Sequence, residues 1–302
     1  MGRQTWKTIF YYQVRKGDYM ITHSKINKSI QLIRKAEKLA LKYNPVNGFY
    51  LAFSGGKDSQ CIYHLAKLAG VKFKAYYNVT TIDPPELMQF IKSKYPDVEW
   101  KRPEFTFFEL IRKKKSLPTR KIRYCCQELK ETAGAGQVVI TGVRRAESVK
   151  RAKRNSVEIT RYKFSGDFDE FTAAFHADDA GLEHRCIKGK DSIIINPLID
   201  WTDNEVWSFI RDYLKIDYCN LYDLGFHRLG CLLCPMASKK EKRFMLNRYP
   251  NIKNAYLRAI SDIKKYYKDR VWTLSDDDIF EWWLSEKNAK EYIEDKRQLT
   301  IF

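Results

Sequence analysis

Residues 48–59 read Gly48-Phe49-Tyr50-Leu51-Ala52-Phe53-Ser54-Gly55-Gly56-Lys57-Asp58-Ser59, and this stretch decides the fold. Gly48 to Phe53 predicts a short buried strand, and Gln60 to Leu68 beyond it predicts a helix. A strand that ends in Ser-Gly-Gly and restarts as a helix leaves several backbone N–H groups pointing into one concavity, which is a ready anion seat. Gly55 and Gly56 keep that seat clear of side chains or supply a φ that other residues avoid. Lys57 adds a point charge, and Ser54 and Ser59 add hydroxyl donors. The order is not that of Walker A, which needs Gly-Lys-Ser/Thr after a four-residue spacer, so an ordinary γ-phosphate-transferring NTPase is disfavoured.

Working outward, Phe73 to Val79, Gln137 to Thr141 and Ser192 to Ile195 are further strand candidates separated by helical stretches. That alternation predicts an α/β fold, a parallel sheet with helices on both faces. Upstream, Ser24 is placed to cap a helix carrying Ile26, Ile30, Ile33, Ala36 and Leu39 at helical spacing, closed by Asn44-Pro45. From Trp201 the pattern turns helical over 201–214, 239–248, 252–268 and 275–294. Thr202 and Ser275 stand at helix starts, the latter before three aspartates that suit the positive end of the helix dipole. The expected division is an N-terminal strand and helix over 1–47, a nucleotide-binding domain over 48–225, and a helical C-terminal extension over 226–302.

The 302 residues carry 55 Lys plus Arg against 37 Asp plus Glu, a net charge of +18. With 44% hydrophobic and 30% charged residues, the chain falls outside the disordered, collagenous and coiled-coil classes. No apolar run is long enough for a membrane span and no secretory signal is evident, so a cytoplasmic location without membrane association is expected. The positive surplus admits a polyanionic partner such as nucleic acid. Arg112 to Arg123, Arg144 to Arg154 and Lys239 to Arg248 carry much of it.

Seven cysteines include the adjacent pair Cys125-Cys126 and the spaced pair Cys231-Leu232-Leu233-Cys234. Four thiolates meeting in space suit a tetrahedral zinc or an iron–sulfur cluster, and buried unliganded thiols are the third possibility. Cys61 is expected to face the core and Cys219 to precede a turn. Cys186, beside Arg185 and Lys188, has the cationic neighbours a sulfur carrier needs. His64, His176 and His227 read as ordinary side chains, with His227 near enough in sequence to Cys231 to tune a metal site.

The Ser54 to Ser59 hexamer resembles the PP-loop of the adenine nucleotide α-hydrolase superfamily, which is Rossmann-like and includes ATP pyrophosphatases, tRNA thiolases and sulfonucleotide reductases. The stretches Asn196 to Trp207, Asn220 to Phe226 and Gly230-Cys231 are similar to successive motifs of its phosphoadenosine phosphosulfate (PAPS) reductase-like branch. Thr141-Gly142-Val143-Arg144-Arg145-Ala146-Glu147-Ser148 resembles that family's arginine loop. The resemblance implies an adenine nucleotide held by Ser54, Gly55, Gly56, Lys57, Asp58, Ser59, Gly142, Arg144 and Arg145. It casts Lys57, Asp58 and Arg144 as catalytic, Arg144 and Arg145 as anion clamps, and Arg151 as a weaker third. It also implies a 4Fe-4S cluster on Cys125, Cys126, Cys231 and Cys234, and ATP, or PAPS or adenylylsulfate, with Mg²⁺.

The thioredoxin-linked reductases of this family use a nucleophilic cysteine near a flexible C-terminus, and no cysteine of this chain follows Cys234. In character the chain looks closest to the sulfurtransferase of DNA phosphorothioation systems. That likeness implies an ATP-dependent sulfur-transfer enzyme with DNA as partner and a cysteine desulfurase as possible sulfur donor. The alternatives are a PAPS or adenylylsulfate reductase forming sulfite, and a non-enzymatic nucleotide- or DNA-binding subunit.

Overall fold

The computed structural model describes residues 21–131, 134–160, 165–167, 169–170, 191–268 and 270–299. Cys186, His176 and the first 20 residues, with the N-terminal strand expected there, lie outside the described residues.

Helix α1 (His23–Tyr43) precedes β1 (Phe49–Phe53), α2 (Lys57–Ala69), β2 (Phe73–Asn78), α3 (Pro85–Lys94), β3 (Glu99–Lys101) and α4 (Phe107–Lys114). Four further strands follow: β4 (Val138–Ile140), β5 (Val157–Ile159), β6 (Ser165–Gly166) and β7 (Ile193–Ile195). The sheet order is β3-β2-β1-β4-β7-β5-β6. From β3 to β7 every pairing is parallel, with Leu51 opposite Ala75 on one side and Ile140 on the other. The fold is therefore the expected α/β, Rossmann-like arrangement flanked by helices. It departs from a purely parallel sheet at one edge, where β5 runs antiparallel to β7 and β6 antiparallel to β5.

Alternation along β1 explains how the sheet is covered. Phe49, Leu51 and Phe53 join the main core, while Tyr50 faces the other way and stacks on Tyr76 at 4.4 Å. Helix α2 supplies Cys61, Ile62, Leu65 and Ala66 to the main core, all without exposed surface. The cap of α1 is Thr22, which accepts from the Lys25 N–H, and not Ser24; the extended residue two positions earlier fits the cap geometry, and Ser24 is already helical.

Beyond the sheet come α5 (Asp203–Ser208), continued by a wider turn over Phe209–Tyr213, then α6 (Lys239–Arg248), α7 (Asn251–Lys264), α8 (Asp276–Ser285) and α9 (Ala289–Leu299). Thr202 and Glu205 cap α5 reciprocally, and Ser275 caps α8 by accepting from the Asp278 N–H at 3.1 Å. The single helix expected over 275–294 is two, because Glu286 adopts the left-handed conformation (φ 60°) and ends α8 there. Tyr256 of α7 and Phe280 and Leu284 of α8 are fully buried and belong to the same hydrophobic cluster as the sheet, so these helices pack as part of one core.

Candidate functional site

In the order β3-β2-β1-β4, the chain leaves β1 toward β2 on one side and reaches β4 on the other, so the crevice between β1 and β4 is the place where an open α/β sheet receives a ligand. Both segments singled out by sequence open here: residues 54–59 follow β1, and 141–148 follow β4.

Gly55 has φ 72°, and a Cβ on it would stand 2.7 Å from side-chain atoms of Ile91 and Leu87 of α3. Only glycine fits both demands. Gly56 has ordinary extended backbone; a Cβ there would stand 3.3 Å from the Tyr222 hydroxyl and 4.0 Å from the Leu229 Cβ. Gly142 serves packing: a Cβ would meet the Asp58 backbone at 3.0 Å, so its bareness lets the β4 loop close on the start of α2. Ser59 is buried and donates to the Gly56 carbonyl at 2.8 Å, while Ser54 is exposed with its hydroxyl 3.3 Å from that of Ser59.

Around this loop lies a four-membered ion network. Arg144, 3% exposed, donates from Nε to Asp58 at 2.6 Å and from Nη2 to Asp203 at 2.9 Å. Lys57, also buried, stands 3.2 Å from Asp203 and 3.9 Å from Asp58. Burial is the largest influence on Asp58 and lifts its carboxyl above the usual range, with Arg144 and Lys57 pulling the other way. Burial works against the charge on Arg144 too, yet its carboxylate partners hold it above its ordinary value. We read the pair as ionised, because a guanidinium does not lose its proton and both of its forks meet carboxylates. Arg144 and Arg145 are thus engaged by the protein itself: Arg145 pairs with Asp200 and donates to Asn155 at 2.8 Å and to the Arg154 carbonyl at 2.9 Å. Arg151 pairs with Glu147.

Two residues here lie outside the site residues expected from sequence. Tyr222 Oη accepts the Lys57 N–H at 2.8 Å, on the first amide of α2. Asp203, 59% exposed at its side chain, is the one solvent-facing member of the ion network. Signals for both were present: Asp203 follows the Thr202 cap, and Tyr222 sits in the Asn220-Leu221-Tyr222-Asp223 turn. Trp207 packs on Tyr222 at 4.8 Å, and Arg211 lies over the Trp207 and Tyr218 rings at 4.3 and 4.9 Å.

The cysteine pairs are brought to one neighbourhood. Cys126 most of all, then burial, and then Cys231 and Cys234, push the Cys125 thiol up, so Cys125 lies within electrostatic reach of the other three sulfurs. Leu232 N–H donates to the Ile82 carbonyl at 2.8 Å, just past the end of β2, which ties the Cys231 segment to the sheet edge beside the loop. Among the described residues no three His, Cys, Asp or Glu side chains close to the spacing of a single ion, so a closed tetrahedral zinc site is not preformed. The donor set nonetheless fits a thiolate-ligated group. Thr80 Oγ1 and Tyr256 Oη are buried without a well-formed hydrogen bond among the described residues. Thr80 lowers the burial-raised Cys231 thiol, so it faces that sulfur, and Tyr256 senses Cys125, Cys231 and Cys234. A hydroxyl facing the Cys231 sulfur is the kind of outer partner a thiolate-ligated group takes.

Of the remaining thiols, Cys61 is fully buried with its sulfur 3.8 Å from the Val206 carbonyl, and Cys219 is 1% exposed; burial raises both. His227 is exposed and acts on Glu241, and His64 lies 3.3 Å from the Tyr95 hydroxyl. Several cations of the basic runs are paired with acids, Arg112 with Asp262, Lys114 with Glu128, Arg243 with Glu281 and Arg248 with Glu86.

The family model for the phosphoadenosine phosphosulfate reductase domain matches residues 48–237, more than half of the chain and all of the loops just described. The chain belongs to this family. An uncharacterized protein of Methanocaldococcus jannaschii is 28% identical over 241 residues, 76% of this chain and 51% of that protein. An adenosine 5'-phosphosulfate reductase of Staphylococcus epidermidis is 29% identical over 169 residues, 52% of this chain and 58% of that enzyme. The chain thus spans about half the length of these curated relatives. Among solved structures, the phosphate complex of PAPS reductase from Candida auris aligns with a TM-score of 0.42 and 17% identity over 71% of this chain and 98% of that one. Membership supports an adenine nucleotide site and an enzyme related to sulfonucleotide chemistry. No described helix is long and apolar enough to cross a membrane.

Proposed function

We propose that the chain is an ATP pyrophosphatase of the PAPS reductase family that transfers sulfur to a nucleic acid, as in DNA phosphorothioation. The observation that carries this reading is the meeting of two chemistries at one sheet edge: Leu229 lies against Gly56 of the anion loop, and two residues on begins the Cys231–Cys234 segment, tied beside the loop through Leu232 on Ile82 and within electrostatic reach of Cys125.

In this reading ATP enters as its Mg²⁺ complex with its phosphates on the loop amides of residues 54–59. An oxygen of the acceptor phosphate attacks the α-phosphorus, the bond to the β-phosphate oxygen breaks, and pyrophosphate leaves with its charge met by Lys57 and the amides. A hydrosulfide-level sulfur nucleophile then attacks the acceptor phosphorus, and AMP departs with the oxygen. Lys57 would stabilise the leaving group, and Arg144 would hold Asp58 and Asp203 in place as the anion enters. Arg145 is tied into Asp200 and Asn155 and would position the β4 loop. Cys125, Cys126, Cys231 and Cys234 would hold a 4Fe-4S cluster, which supplies sulfur or electron exchange when bound. A cysteine desulfurase is a fitting donor of sulfur.

Anaerobically purified protein incubated with labelled ATP, Mg²⁺ and an oligonucleotide should release pyrophosphate and AMP. Lys57→Ala should lower that rate by at least about 100-fold, the scale of one lost electrostatic stabiliser. Release that ignores Lys57→Ala sinks the reading. A second reading, sulfonucleotide reduction to sulfite, is favoured by the adenosine 5'-phosphosulfate reductases among the relatives. Sulfite formed from adenylylsulfate or PAPS with a dithiol, and no pyrophosphate from ATP, would establish it instead.

A further inference from the structure

Two cavities lie away from the anion loop, and their charges differ. The larger, about 550 Å³ between α1 and the β5–β6 edge, holds Lys25, Lys28, Lys35 and Arg145, each already met by a carboxylate: Glu205, Asp200, Asp169 and Asp200. The smaller, about 260 Å³, opens between the segment before Cys125 and helices α6 and α8, and its charges do not cancel.

Glu286 is its single acid, held in the left-handed conformation that ends α8, and it answers two cations at once: Lys242 Nζ at 2.6 Å and Arg120 Nε at 2.8 Å. Lys242 is 2% exposed, so its charge is buried in the wall with half a partner. Lys121 stands at the rim with no ion pair among the described residues, whereas Lys287 is matched by Asp295 and Glu291. The cavity therefore carries surplus positive charge that the protein leaves for an anion. Its other wall is aromatic. Trp282 and Trp283 line it, and both indole N–H groups are already taken, by the Lys287 carbonyl at 3.0 Å and the Pro118 carbonyl at 2.7 Å. The indoles thus have no donor left; Trp283 is buried with Lys242 Nζ 5.3 Å from its ring, so the apolar ring surface offered to a ligand is that of Trp282. Cations beside such surface are the combination that binds a nucleotide by phosphate and base without reading its sequence. At about 260 Å³ the space lies just below the range of whole small-molecule sites and suits one nucleotide.

Its position adds to this. Trp283 packs on Tyr256 at 4.8 Å, and the Pro118 carbonyl that takes its indole N–H lies seven residues before Cys125. Pro235, the residue after Cys234, lines the cavity. We propose that this cavity seats one nucleotide of a single-stranded nucleic acid, its base on the Trp282 side and its phosphate between Arg120, Lys121 and Lys242. The proposal deepens the reading of a nucleic-acid acceptor and rests on it for the purpose of the slot, not for its chemistry.

The test is an anisotropy titration of the full chain with a short labelled oligothymidylate, without ATP. Trp282→Ala should weaken binding by about tenfold or more, the loss of one stacked base, while Trp282→Phe keeps most of it. Lys121→Met, at an exposed position that does not threaten folding, should reduce the slope of log affinity against log salt by about one. An abasic strand and a duplex of the same length should both bind less tightly. Binding unchanged by both Trp282→Ala and Lys121→Met, or an abasic strand held as firmly as oligothymidylate, would overturn the slot. Tryptophan-dependent binding without pyrophosphate release from ATP would keep the slot and remove the sulfur-transfer reading; release with binding indifferent to Trp282 would do the reverse.

Discussion

The anion loop and the cysteine group share one sheet edge, yet they are built in opposite ways. The loop is six consecutive residues whose path is set by a strand, a left-handed glycine and a helix start. The cysteine group is drawn from two segments far apart in the chain and held by their neighbours, through Leu232 on Ile82 and through Leu233, whose N–H meets the Met245 sulfur at 3.2 Å. A local site fails when one backbone position is spoiled. An assembled site fails when the elements behind it shift.

The largest effect expected from this contrast is at Gly55. An alanine there must adopt φ near 72° and push a methyl group to within 2.7 Å of Ile91 and Leu87, two penalties that together cost about 2–4 kcal/mol. A urea-denaturation midpoint should fall accordingly, and nucleotide binding should be lost with it. A loss below about 0.5 kcal/mol would mean the loop is not shaped by its glycine. Next in size is Met245→Ala, which empties a buried position beneath the cysteine segment and should cost about 2–3 kcal/mol. Here the two regions should part company: uptake of iron should drop while ATP binding by the loop stays within about twofold of the parent. If both fall together, the sites are one cooperative unit and the contrast is wrong.

The same contrast explains what could be read in the sequence. The strand, loop and helix over 48–69, the caps at Thr202 and Ser275 and the span of Lys239–Arg248 were legible because each is fixed by residues within a few positions of itself. The antiparallel edge at β5 and β6 was not: β4 and β7 are as short as β5 but are unbroken aliphatic runs, whereas β5 reads Val-Glu-Ile and β6 is only Ser-Gly. Helix α8 was read as continuous because nothing in Ser285-Glu286-Lys287 marks a stop; Glu286 takes the left-handed conformation while pairing with Lys242 and Arg120, both distant in sequence. The arginines were legible as residues but not in their engagements. A guanidinium after a strand suggests an anion clamp, and only the folded chain shows that Arg144 is already gripped by Asp58 and Asp203.

Tyr222 is where the contrast becomes sharpest, because it ties the local site to a distant turn. Its hydroxyl accepts the first N–H of α2 at 2.8 Å, the kind of donor that an anion at a helix N-terminus would take. Tyr222→Phe keeps the ring against Trp207 and removes only that acceptor, so the expected cost is about 1 kcal/mol, the smallest of the three. The amide left without a partner should then be satisfied by an anion more readily than in the parent. Added pyrophosphate should therefore raise the Tm of Tyr222→Phe by more than it raises that of the parent, since a tighter ligand stabilises the folded state more at the same concentration. Equal shifts would show that the hydroxyl and the anion do not compete for the Lys57 amide, and the loop would then be as local as its sequence suggests.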